Sequence, residues 1–161
     1  MKKTISNQTI TPLSAGTHLA TFSPSRSWKA ETGANCFRVC FKAGKTLFET
    51  FTDSLDEWSQ VKLAQFATFL GINEVDIPDN TPAANQDAAF QKATLDAVIE
   101  AVEAQANSKI VGIVTTIQES RDPRFGATPQ ININAQQMFM TEDEAKAAIA
   151  AEENLIRELG I

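Results

Sequence analysis

The stretch that most constrains the fold is residues 35–52, NCFRVCFKAGKTLFETFT, which has the pattern of two strands joined by a tight turn. In its first half, apolar residues alternate with polar ones that include Arg38 and Lys42, and a period of two puts the two sets on opposite faces of a strand. The glycine between the halves is typical of a turn. Because Phe48 and Phe51 differ in parity, a regular second strand directs at least one of them to the face of Arg38 and Lys42, unless a bulge intervenes.

Such a face, with cations and an aromatic ring, is suited to holding a single nucleic-acid strand through phosphate contacts and base stacking. Residues 23–35, just upstream, are predicted to form a long loop in which Arg26 and Lys29 flank Trp28. Trp28 is interpreted either as a base-stacking platform between phosphate contacts or as a cap on the core.

The charge distribution allows a local basic groove on an acidic protein. The net charge is −6. Residues 1–48 contain seven Lys or Arg and one acid, whereas residues 49–161 contain seven Lys or Arg and nineteen acids. The acidic total disfavours duplex binding by bulk charge, while the uneven placement is equally compatible with lysine-bearing strands beside helices with solvated carboxylates.

The remaining elements follow from periodicity and capping signals. A first strand is predicted at residues 18–22. Ser54 and Glu57 form a capping box for a helix that ends at Gly71, with Trp58 on its apolar stripe. An alanine-rich helix covers about residues 84–104. Strands follow at 109–119 and 131–134, the first apolar on both faces and therefore inside a barrel or covered by a helix. Thr141 and Glu144 cap a last helix whose apolar stripe reaches Leu159.

This order predicts an α+β fold with a β-rich core, a five-stranded barrel of the oligonucleotide-binding (OB) type. Its helical insertion, at about residues 54–106, falls between the third and fourth strands. We expect a flexible leader at 1–11, the barrel domain at 12–140 and a C-terminal helix at 141–161. The alternative is an α+β sheet covered on one face by helices.

Short motifs spread over residues 13–135 resemble phage-type OB-fold single-stranded DNA-binding proteins. They are Leu13-x-x-Gly16-x-His18-x-Ala20-x-Phe22, Lys29-x-x-x-Gly33, Phe37-x-Val39-x-Phe41, Leu70-Gly71, Lys109-x-Val111-x-Ile113 and Asn132-x-Asn134. The resemblance implies sequence-tolerant binding of single strands in phage replication or recombination, and also implies oligomers or cooperative binding.

The DNA-binding hypothesis assigns residues to two roles. The cations would contact phosphates and the rings would stack on bases, with either Phe48 or Phe51 serving as the ring of the third strand. A second group lies in the loop between strands four and five, one of the loops with which OB domains bind ligands. The candidate residues are Arg26, Trp28, Lys29, Arg38, Lys42, Lys45, Phe48, Phe51, Arg121, Arg124 and Phe125.

The second hypothesis is a phage or bacterial assembly or interaction protein whose helices form a partner surface. Glu152 and Glu153 before the apolar end of the C-terminal helix resemble the acidic tails by which single-strand binders recruit other proteins, which implies contact with replication or recombination proteins; the alternative is an ordinary amphipathic helix. We expect no enzyme, cofactor or metal site, because the chain has one histidine and two cysteines and no nucleophile in an activating context. No signal or membrane segment is recognised, so a cytoplasmic location, in the host if phage-encoded, is expected.

Overall fold

The computed structural model describes residues 1–5, 16–119, 129–133 and 139–160 of the 161-residue chain. At residues 45, 116–119 and 129–133 the backbone alone is described. The elements in chain order are β1 (Lys2–Thr4), β2 (Gly16–Lys29), β3 (Asn35–Ala43), β4 (Lys45–Thr52), α1 (Glu57–Phe69), β5 (Glu74–Asp76), a short 3₁₀ turn (Ala83–Asn85), α2 (Gln86–Gln105), β6 (Val111–Glu119), β7 (Pro129–Ile133) and α3 (Glu142–Glu158).

Five strands form one antiparallel sheet in the order β4-β3-β2-β6-β7. Its two end strands, β4 and β7, contact each other, so the sheet curls into a half-barrel. Within the described residues no ladder of hydrogen bonds joins these two strands. The mixed α+β class is confirmed, and the three helices flank a curled sheet.

The inner face of the sheet carries the hydrophobic core. We define this face by Phe22, Val39, Phe41 and Phe51, each at most 1% exposed. The Phe51 ring stacks on Phe66 of α1 with the ring centroids 4.6 Å apart. α2 adds aliphatic side chains to the same cluster, namely Leu95, Val98 and Val102. Both α1 and α2 therefore cover the inner face, and burial of these apolar side chains is the main force that holds the layers together.

Among the described elements, α3 is the one that covers the outer face, and it does so at β6 and β2. Gly112 lies between Val111 and Ile113, which belong to the core, so it faces the opposite way. A Cβ on Gly112 would lie 2.4 Å from the Cβ of Ala145 in α3. At the start of β2, the Thr17 hydroxyl donates a 2.6 Å hydrogen bond to Glu152 of α3. Of the two alternatives predicted for this strand, a place inside a barrel or cover by a helix, the structure shows cover by α3. None of the described helices covers the outer face of β3 and β4.

The first strand of the sheet is longer than its sequence pattern predicted. β2 continues from Gly16 to Lys29, so most of the predicted loop at 23–35 is strand. The connection to β3 is a short turn at residues 30–34, in which the Ala30 N–H donates to the Ala34 carbonyl and the Gly33 N–H to the Ala30 carbonyl, with Gly33 at φ +90°. The prediction was wrong because serine, proline and arginine interrupt the apolar alternation, whereas backbone pairing with β3 holds the strand extended.

The first residues of the chain also differ from the expected leader. Residues 2–4 form β1, which pairs antiparallel with β5, and Ile5 is part of the core. The flexible leader predicted at 1–11 was therefore wrong for residues 2–5. Residues 6–15 lie outside the described part of the chain.

Helix α1 begins two residues later than the expected capping box would place it. The cap is Asp56, whose carboxylate accepts hydrogen bonds from the Ser59 backbone N–H at 3.0 Å and from its hydroxyl at 2.8 Å. A carboxylate satisfies the free N–H groups of a helix N-terminus and also interacts well with the helix dipole. Ser54 as the cap was therefore wrong.

The apolar stripe predicted for α1, which Leu63 and Phe66 widen, meets the core only in part. Leu63 and Phe66 are buried, whereas Trp58 is 42% exposed. Trp58 as a core residue was wrong, because the side of the helix that packs against the phenylalanine cluster is the side of Leu63 and Phe66. In the capping box predicted for α3, the cap residue is confirmed: Thr141 is the N-cap, and its hydroxyl oxygen accepts a hydrogen bond from the Glu144 N–H.

Candidate nucleic-acid interface

The two phenylalanines of β4, whose orientation the sequence left open, lie on opposite faces of the sheet. Phe48 lies opposite Cys40, on the face of Arg38, and is 49% exposed. Phe51 lies opposite Phe37 on the inner face and is fully buried. Phe51 is therefore removed from the candidate base-stacking residues, because its ring packs in the core and has no surface for a base.

A bulge in β2 brings two more candidates to this face. The register with β3 shifts between Pro24 and Arg26, and Ser25 has no partner residue. The extra residue inverts the parity of the rest of the strand, so Arg26 lies opposite Arg38 and Trp28 opposite Cys36. With regular pairing, Arg26 and Trp28 would face inward.

We define the basic outer face as Arg26, Trp28, Arg38, Lys42 and Phe48. Its two rings each contact a guanidinium group. The Arg26 guanidinium carbon lies 4.8 Å from the centroid of the Trp28 ring, and that of Arg38 lies 4.6 Å from the Phe48 ring. Each distance is within the range of a cation–π contact, so each guanidinium group lies over a ring while its charge remains available.

The cations of the basic outer face have no acidic partners among the described residues. In the part of the chain that the structure describes, Arg26, Arg38 and Lys42 make no ion pair. Arg38 is half-buried, and its Nε has no hydrogen-bond partner there. The acid on β4, Glu49, faces inward and pairs with Lys62 of α1 at 2.6 Å.

The other side chains at outward register positions are small and mostly hydroxylic, and none is acidic. They are Thr21, Ser23, Cys36, Cys40, Thr46, Thr50 and Thr52. Hydroxyls of this kind donate hydrogen bonds to phosphate oxygens. The hairpin pattern alone did not indicate them, because their common face depends on the register of three strands.

The remaining candidates are not part of this face. Lys29 is exposed at the end of β2, opposite Asn35 and beside the turn. Lys45 begins β4, and only its backbone is described. Arg121, Arg124 and Phe125 lie outside the described residues, so their predicted approach to Arg38 stays a prediction.

The described part of the molecule offers little that indicates a metal site, a histidine-based site or a membrane span. Its histidine, His18, is within hydrogen-bond distance of the Thr115 hydroxyl, with Nε2 and Oγ1 3.1 Å apart. Across the described residues, no group of three or more His, Cys, Asp or Glu side chains is placed to hold a metal ion. None of the described helices is long and apolar enough to cross a membrane.

No protein-family model matches the chain, and no curated protein sequence is significantly similar to it. The geometry and charge of the basic outer face are therefore the features that indicate a function.

Proposed function

We propose that this protein binds single-stranded DNA, with little dependence on sequence, through the basic outer face. The observation that supports this most strongly is the unpaired charge: three cations and two rings share one surface on which the described residues place no carboxylate, on a chain of net charge −6. Isolated cations on an acidic protein would be expected to pair with its many carboxylates. Their separation from the acids suits a polyanionic ligand.

The rings favour a single strand over a duplex. Bases are free to stack on aromatic or guanidinium planes only when they are unpaired, and such stacking is tolerant of sequence because every base has a π-face. The basic outer face offers four such planes in two contacting pairs, Arg26 with Trp28 and Arg38 with Phe48. A duplex would offer only phosphates, and the acidic remainder of the protein would repel it.

The sheet topology supports an OB-type barrel as the finer description of the fold. β2, β3 and β4 are the first three strands of the large sheet in chain order, and β2 lies between β3 and β6. The central position of the first strand is the arrangement of an OB barrel, in which the face of strands two and three binds oligonucleotides. Here those strands are β3 and β4, which carry Arg38, Lys42 and Phe48. With the resemblance to phage-type single-strand binders, this extends the proposal to a role in phage replication or recombination.

The proposal is tested by tryptophan fluorescence in a Trp58→Phe background, where Trp28 is the remaining tryptophan. Titration with a poly-thymidine oligonucleotide is expected to quench Trp28, and a duplex of equal length is expected to leave its emission unchanged. Phe48→Ala should weaken binding by about five- to a hundredfold, the cost of one stacked base. Lys146→Ala, which alters an exposed cation of α3 away from the face, is the matched control. A flat titration at low salt would refute single-strand binding.

A second candidate function, a protein-interaction surface, is favoured by one observation. The last turns of α3 expose three large apolar side chains, Leu155, Ile156 and Leu159, each at least 50% exposed. Such a cluster on a protein surface is commonly a contact with another protein or a second copy. Sedimentation of the chain and of an Ile156→Ser variant, with and without oligonucleotide, separates the two functions. Salt-insensitive assembly without DNA binding would favour this second candidate.

A further inference from the structure

A cleft adjoins the basic outer face at its Trp28 end. It lies between the β2–β3 hairpin and α2, and its volume is about 290 Å³. Trp28 and Cys36 line it from the hairpin, while Leu95 and Ile99 line it from α2. Trp28 thus belongs to both surfaces, because its ring also contacts Arg26. The volume is at the lower limit for small-molecule sites, so the cleft suits a single flat ring system.

The polar groups of the cleft are an ion pair and an oriented amide. Lys92 and Asp96, one turn apart on α2, are 2.9 Å apart at Nζ and Oδ2. The Asn35 amide donates to Asp53 from Nδ2 at 2.7 Å, which leaves its Oδ1 as an acceptor. The cleft therefore offers one cationic donor, a carboxylate with two oxygens and a neutral acceptor.

The charge balance at the cleft is unfavourable for a phosphate. The hydrogen bond to Asp96 raises the pKa of Lys92, to which the charges of Asp96 and Asp53 add, so the ammonium stays protonated. The one ammonium that lines the cleft is balanced by the carboxylate of Asp96, and the Asp53 carboxylate, which is hydrogen-bonded to Asn35, adds further negative charge beside it. A ligand that presents several N–H donors and one carbonyl acceptor fits this set better than an anion does.

We propose that this cleft binds one guanine base of the single strand held on the basic outer face, so that binding is sequence-tolerant except for a preference at one position. Guanine is the DNA base whose Watson–Crick edge presents two adjacent donors, N1–H and N2–H, beside one acceptor, O6. Asp96 accepts from the two donors, Lys92 donates to O6, and the base stacks on Trp28. Thymine offers a single donor at N3 and loses one of these hydrogen bonds.

This inference depends on the proposed function, and the test is arranged to separate the two. Fluorescence anisotropy compares a labelled dT12 with the same oligonucleotide carrying one central dG, or one central dA, on the full chain. We expect the dG oligonucleotide to bind roughly five- to tenfold more tightly than dT12, as for one bidentate base contact at an open site, and the dA oligonucleotide to bind like dT12.

Asp96→Asn is expected to abolish the preference for dG. Glu100→Gln is the matched control, because it removes the same charge from an exposed position one turn further along α2 and should keep the preference. Equal binding of all three oligonucleotides by the unmodified protein, or a preference that survives Asp96→Asn, would overturn the guanine site and leave the basic outer face intact. Failure of all three to bind would overturn both proposals.

Discussion

Arg38 is the residue for which the structure gives the most reasons to expect a phosphate contact. It is half-buried against Phe48, lies directly opposite Arg26, and within the described chain has no acidic partner. Like charges placed opposite each other on neighbouring strands are destabilising, and a half-buried cation without a counter-ion adds a desolvation cost. A bound phosphate would relieve both costs, which is why we place a phosphate contact here.

Replacing Arg38 tests whether its planar group, or only its charge, is used. Arg38→Lys keeps the charge but loses the flat guanidinium that lies on Phe48, so we expect single-strand affinity to fall several-fold, and further in Arg38→Gln. Anisotropy with a labelled dT12 measures both variants. Lys42→Arg, on the same face, is the control and should bind like the unmodified protein. Equal affinity in Arg38→Lys would mean that charge alone is used.

Asp56 shows how one carboxylate sets the start of a helix. The hydrogen bonds from Ser59, chiefly from its backbone N–H, lower the pKa of Asp56 below its ordinary value of 3.8. A group whose pKa is lower in the folded state contributes stability above its unfolded pKa, and this contribution is lost as the pH falls through the folded value.

We therefore expect Asp56→Asn to lower the melting temperature at pH 7, because the carboxylate interacts with the helix dipole more strongly than an amide does. The difference from the unmodified protein should shrink as the pH falls from 3.8 through the lowered pKa of Asp56 in the folded state, below which this carboxyl is neutral like the amide. Thermal unfolding followed by circular dichroism at several pH values measures it. Glu57→Gln, which removes a charge from the same first turn without a cap hydrogen bond, is the control.

At the level of elements, the bulge in β2 decides which side chains share a face. Ser25 is the unpaired residue, and the parity of residues 26–29 depends on it. Bulges of this kind redirect side chains while the strand stays paired, so the element can serve the core in its first half and the outer surface in its second.

Deleting Ser25 is expected to restore regular pairing and to turn Arg26 and Trp28 inward. Single-strand affinity should then fall at least as far as in Trp28→Ala, and the emission of Trp28 should change in the absence of DNA. Ser25→Ala keeps the bulge and should bind normally. If the folded deletion variant keeps full affinity, Arg26 and Trp28 do not contribute to the site.

The contact between β6 and α3 depends on a glycine. Gly112 allows the helix to approach so closely that a Cβ there would meet the Cβ atoms of Ala145 and Met140, at 2.4 Å and 2.9 Å. The backbones of Gly112 and Met140 also exchange two hydrogen bonds, of 2.8 and 3.0 Å. A larger residue at 112 would therefore force α3 away from the sheet.

Gly112→Ala is expected to destabilise the protein by about 1–3 kcal/mol, the usual cost of overpacking. Adding Ala145→Gly removes one of the two clashing atoms, so the double variant should be more stable than the sum of the single effects predicts. Urea unfolding of the four proteins of this cycle measures the coupling. If the stability changes of Gly112→Ala and Ala145→Gly simply add in the double variant, α3 accommodates the new Cβ by moving, without a loss of stability from the clash with Ala145.

For the whole molecule, the property that bears on binding is the separation of the cations on the basic outer face from the acidic residues of the helices. The basic outer face contributes three cations, whereas the long helices and the C-terminal helix carry many of the nineteen acids of residues 49–161. An acidic protein with one basic surface can orient a polyanion without binding it everywhere. This arrangement makes the strength of binding depend on a small number of phosphates.

We therefore expect a shallow salt dependence. If three phosphates are neutralised, the logarithm of the affinity for a single strand should fall with the logarithm of salt concentration with a slope of about −2. Titrations of dT12 at four salt concentrations measure this slope, which Lys42→Gln should reduce and Lys146→Gln should leave unchanged. A slope several times steeper would require cations beyond the basic outer face.

The sequence by itself determined those features that depend on local periodicity. Alternation of period two predicted the β3–β4 hairpin and placed Arg38 and Lys42 on one face, and the parity of Phe48 and Phe51 required one of them to join it. Helical spacing predicted the positions of α1, α2 and α3, and the strand that is apolar on both faces predicted a place inside a barrel or cover by a helix, of which the second is observed.

Only the tertiary structure decided the features that depend on pairing between distant segments. Backbone hydrogen bonds to β3 extended β2 through residues whose own propensities favour a loop, and one unpaired residue, Ser25, set the face of Arg26 and Trp28. Packing against the phenylalanine cluster buried Phe51 and left Trp58 exposed. A register or a choice of helix face is fixed by contacts summed over several elements, and no local pattern contains that information.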